Sequence, residues 1–87
     1  MNEKMNTSIA RAVANIAIFL EFSNDEILDA DAAVGAMEQL AADLQSLDGH
    51  AQQQLSTAIS SIASEYGAEE KEFLVGLPEN LGLEVET

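Results

Sequence analysis

Apolar residues return at helical spacing in three long segments of this chain, and nowhere do they alternate as a strand requires. On a wheel of about 100° per residue, Ile9, Val13, Ile16, Ala17 and Leu20 share one face of a segment from about Thr7 to Phe22. Asn6 or Thr7 is placed to cap it. In a second segment, ending at Leu47, Val34, Met37, Leu40, Ala41, Leu44 and Leu47 line up in the same way. In a third, from about His50 to Tyr66, the core face is Ala51, Leu55, Ala58, Ile59, Ile62 and Tyr66. The pattern predicts an all-α fold, a small antiparallel bundle of three main helices closed by a short C-terminal helix. At 87 residues the chain makes one helical domain, with residues 1–6 and 84–87 as frayed ends.

The breaks between segments carry their own chemistry. Ser23-Asn24-Asp25-Glu26 has the form of a capping box, with Ser23 accepting from the backbone and Glu26 reaching back. It opens a turn through Ile27 and Leu28. Asp29 and Asp31 are both adequate caps for the second segment, so residues 24–47 form one helix or two. Gly35 inside that segment costs about 1 kcal/mol against Ala, which close approach of a neighbouring helix would justify. Asp48-Gly49 ends the second helix, and Asp48 can cap the third. Gly67 stops the third. Ala68 to Val75 then reads as a short helix closed by Gly76, with Pro78 opening one further turn to Leu81 and Gly82 suited to end it.

Sixteen acidic residues against three basic ones leave a formal charge of −13. Such charge repels itself and destabilises the compact state, so a reason outside folding is expected. It disfavours DNA, RNA and anionic lipid and steers the chain towards basic surfaces. With only Lys4, Arg11 and Lys71, a basic nucleic-acid patch is excluded. The absence of Cys removes disulfides and thiolate sites, and one His leaves little for zinc or copper. The longest apolar stretch, Ala12 to Leu20, is too short to span a bilayer. No small-residue cleavage site comes after it, so it is expected to be structural and the protein cytoplasmic.

Catalytic patterns are missing as well. An EF-hand begun at Asp29 meets Ala33 and Val34 where ligand and glycine belong, and one begun at Asp25 meets Ile27 at its third position. The glycines are scattered singly, so no phosphate loop exists. His50 has no nucleophile motif for company. Neither an enzyme nor a cofactor or metal site is expected.

Two surfaces remain as candidate contacts. Glu21, Asp25, Glu26, Asp29 and Asp31 crowd the first connection, where they would steer a basic protein partner. Ile18 and Phe22 fall on the polar side of the first helix and would supply the desolvated centre. On the third helix, Gln53, Ser56, Thr57, Ser60, Ser61 and Ser64 form an uncharged stripe, a possible second contact face.

An acyl carrier protein is also small, acidic and four-helical, but it needs a Ser after an Asp where this chain reads Glu26-Ile27-Leu28-Asp29-Ala30-Asp31. The acidic helical body, the acidic connection from Ser23 to Asp31 and the closing segment Phe73-Leu74-Val75-Gly76-Leu77-Pro78 resemble the small acidic immunity proteins of interbacterial toxin systems. That resemblance implies stoichiometric binding of a toxin, as an immunity protein or antitoxin acting in the cytoplasm. It transfers no residue by position. The competing expectations are a homo-oligomeric subunit, paired through the two spare surfaces as a homodimer, and a DNA mimic that inhibits a nucleic-acid-binding protein.

Overall fold

A computed structural model describes residues 3–24 and 26–84, with side chains from residue 7 onward. It is an all-α bundle of four helices: α1 (Glu3–Phe22), α2 (Ala30–Gln45), α3 (Gly49–Ile62) and α4 (Ala68–Asn80). A turn of 3-10 helix, Ala63–Glu65, joins the last two, and the described residues contain no strand. The closing helix is longer than its glycine and proline suggest, with 13 residues against 14 in α3. It runs through Gly76 and Pro78 without a break. Pro78 forfeits one backbone hydrogen bond, but Leu77, Pro78 and Leu81 are all buried, and that packing holds the helix on course. Gly76 has no positive φ and ends nothing; Gly82, at φ 73°, is the residue that does. The Gly82 N–H donates to the Glu79 carbonyl and the Leu83 N–H to that of Pro78, which is the paired bonding of a Schellman stop.

The core lies between α1, α3 and α4. Ile59, Leu74, Leu77 and Leu81 are its largest fully enclosed side chains. α1 packs most extensively on α3 and presents Ala10, Val13, Ala14 and Ala17 to it. This differs from the expected face. Ile9 and Ile16, assigned inward by the wheel, are exposed, while Ile18, assigned outward, packs against the core. Three alanines let the α1 backbone come close to the bulky side chains of α3, so the buried seam tracks the small residues rather than the large ones.

α2 is different in kind, because none of its residues is buried. Met37, Leu40, Ala41 and Leu44 lean on the core, but Val34 is exposed, as is Leu47 just beyond the helix. Asn24, not Ser23, caps the preceding turn: its Oδ1 accepts from the N–H groups of Glu26 (3.1 Å) and Ile27 (3.2 Å). Asp29 then caps α2 by accepting from the Ala32 N–H, so the described residues between 24 and 47 hold a turn and one helix. A Cβ on Gly35 would meet nothing within 4 Å, so no neighbouring helix approaches there. Gly49 is the first residue of α3 rather than a stop for α2, with Asp48 capping as expected.

Candidate partner-binding surface

Two ends of the molecule hold α2 unequally. At its C-terminal end a set of amide side chains binds α2, α3 and the C-terminal segment together. The Gln52 Nε2 donates to the carbonyls of Gln45 (3.1 Å) and Leu47 (2.8 Å). Its Oε1 accepts from the Glu84 N–H at 3.0 Å. Gln45 donates in turn to the Leu81 carbonyl at 2.7 Å. The Ser56 hydroxyl sits within reach of both the Gln52 carbonyl (2.9 Å) and that of Glu84 (2.8 Å). Buried amides and hydroxyls are tolerable only when satisfied in this way. Ser56, expected on the exposed stripe, is therefore interior at 3 % exposure, whereas Thr57, Ser60, Ser61 and Ser64 do face solvent. Glu84, expected in the frayed end, has both backbone groups bonded.

Among the described residues, no comparable amide side chain ties the N-terminal half of α2. Between it and α1 lies a cleft of about 220 Å³, lined by Leu20, Glu21, Ala33, Val34, Met37 and Glu38. Its lining is apolar apart from the carboxylates of Glu21 and Glu38. The exposed apolar residues of α1 continue from it. Ile16 lies one turn before Leu20, and Ile16 and Phe19 are each about half exposed (51 % and 52 %). On the α2 side Val34 is the exposed large apolar residue, at 58 %.

The expected contact residues are distributed over this region without converging. Glu21 lines the cleft. Glu26 and Asp31 are exposed near the turn, and Asp29 is engaged as the α2 cap. Asp25 lies outside the described residues. Phe22 is exposed, at 41 %, and one edge of it is held, since its ring meets that of Phe73 edge-on at 5.5 Å between centroids. Ile18 is half-covered by the core. Glu38 is absent from the expected residues, because a wheel of α2 alone turns it away from the apolar face. Only the open packing of α2 against α1 brings it to a cleft.

No family model, curated protein or solved structure matches the chain. What the surface can do therefore rests on its geometry and charge. Among the described residues no three His, Asp or Glu side chains gather as a metal site, and no helix is long and apolar enough to cross a membrane. Arg11 donates to Glu65 at 2.6 Å across to the 3-10 turn. The hydrogen bond first, and the Coulombic attraction with it, hold the guanidinium pKa above its ordinary value. Tyr66 braces the same junction by donating to Asn15 at 2.7 Å.

Proposed function

We propose that this chain is a non-enzymatic binding protein that masks a basic surface on another protein. An immunity protein or antitoxin, resident in the cytoplasm with a toxin that acts there, is the form that fits best. The observation that carries the reading is the exposure of Ile9, Ile16 and Phe19 on α1 and of Val34 at the α1–α2 cleft in a chain of charge −13. A stable complex needs a desolvated centre, and those side chains supply it. The surrounding carboxylates supply the steering that selects a basic partner and speeds its approach. Toxins that act on nucleic acids carry basic substrate grooves, which such a surface complements.

The test is affinity capture of the tagged chain from a lysate of its own host, washed at low and then at high salt. A single stoichiometric partner with a basic surface, retained at high salt, is the expected result. A diffuse set of basic proteins that washes away would reduce the charge to an ion-exchange surface and refute the reading. The apolar stripe of α1 would also serve a homodimer, so sedimentation at several concentrations accompanies the capture.

A further inference from the structure

We propose that the α1–α2 cleft seats a basic amphipathic helix of the partner, with its apolar side chains on Leu20, Val34 and Met37 and its Lys or Arg side chains against Glu21 and Glu38. The proposal rests on the basic-partner function and names where the partner docks and with what element. The cleft, at about 220 Å³, far exceeds the roughly 30 Å³ share of one water and has room for a large side chain. The line from Ile9 through Ile16 to Leu20 extends it along α1 by about 16 Å, the length over which a docked helix places successive apolar anchors. A furrow between two helices is also the shape into which a third helix packs.

Charge selects the occupant. Glu21 and Glu38 line an otherwise apolar cleft, and neither belongs to the chain's one ion pair among the described residues, Arg11 with Glu65. A second copy of the chain would bring another −13 to the same place. A two-fold pairing would bring together two surfaces of the same acidic chain, and juxtaposed like charges cost several kcal/mol. An acidic segment or a nucleic acid meets the same repulsion.

The test uses the full chain, isotope-labelled, and two synthetic helical peptides, one of Leu and Lys and one of Leu and Glu, monitored by amide NMR shifts at low salt. The Leu/Lys peptide should bind saturably and equimolarly, with shifts centred on Leu20, Ala33, Val34 and Met37, and the Leu/Glu peptide should not bind. Val34→Asp should weaken binding by about tenfold or more, as loss of an apolar anchor does. Glu21→Gln combined with Glu38→Gln should weaken it by roughly tenfold at low salt and flatten its salt dependence. All three positions are exposed, so the fold should survive, which circular dichroism checks. Saturable binding centred on α4 would overturn the cleft while leaving a basic partner in place. Failure of both peptides to bind would overturn the cleft as a helix site, while the basic partner stands or falls by the capture experiment. Equal binding of both would remove the charge selection. Cleft shifts that grow with protein concentration alone would make the occupant a second copy.

Discussion

The two sides of α1 meet their neighbours in opposite ways. Towards α3 and α4 the helix presents Ala10, Val13, Ala14 and Ala17, all buried, and Ile59, Leu74, Leu77 and Leu81 beyond them are fully enclosed. Towards α2 the seal is poorer: Leu20 and Glu21 face Ala33, Val34, Met37 and Glu38 across an open cleft, no α2 residue is buried, and Ile16, one turn before Leu20, remains open. Close approach, rather than apolar bulk, makes the first interface solid. The second is a layer of half-covered side chains fastened at one end by Gln45 and Gln52. Stability divides unevenly over such a molecule, and the less stable layer is the one free to adapt to a partner.

The sharpest way to break that contrast is to truncate equivalent side chains on the two sides. Leu74→Ala should cost about 2–5 kcal/mol, a large part of the roughly 5–15 kcal/mol of a whole domain. Val34→Ala should stay within about 0.5 kcal/mol. Urea melts of the two variants compare them directly, and equal losses would mean that α2 belongs to the core. Overpacking gives a smaller effect with the same direction. Ala14→Leu should lose about 1–3 kcal/mol, whereas Ala36→Leu, on the exposed face of α2, should be near neutral in the same melts.

The tie between the two regions is open to a separate test. Gln52→Ala should cost about 1–3 kcal/mol by stranding the carbonyls of Gln45 and Leu47 and the N–H of Glu84. Faster exchange of the Glu84 amide is its specific signature. Within α2, Asp29→Ala should lose about 1 kcal/mol with the cap, confined to that helix. Gly35→Ala should gain up to about 1 kcal/mol, because a Cβ there meets open space. A loss at Gly35 would show that the backbone needs the glycine for a reason other than packing.

Much of this architecture is legible in the sequence, and the failures share a cause. Helical spacing places the three long helices, although α1 starts at Glu3, ahead of the expected cap at Asn6 or Thr7. Short-range chemistry offers Asp29 or Asp31 for α2, where Asp29 takes the role, and Asp48 for α3, since a cap depends on residues only three apart. The buried face of α1 escapes a wheel that weights large side chains, because Ala10, Ala14 and Ala17 matter for how near α3 can come. Gly76 and Pro78 read as breaks because their signals are local, and the burial of Leu77 and Leu81 that overrides them is not. Ser56 reads as a surface residue until the C-terminal segment arrives to satisfy it, and Gln52, which the stripe left out, is buried by the same segment. Acid surplus is plain from composition alone. The cleft that joins Glu21 to Glu38 is not, because it exists only where two helices fail to seal.

Native-state hydrogen exchange resolved by residue tests the division between the two sides most directly. Amides in the middle of α2, from Met37 to Leu44, should exchange through openings well below the global unfolding free energy, while those of α3 around Ile59 exchange only with global unfolding. Protection of α2 equal to that of α3 would contradict the division and leave one cooperative bundle with no adaptable layer.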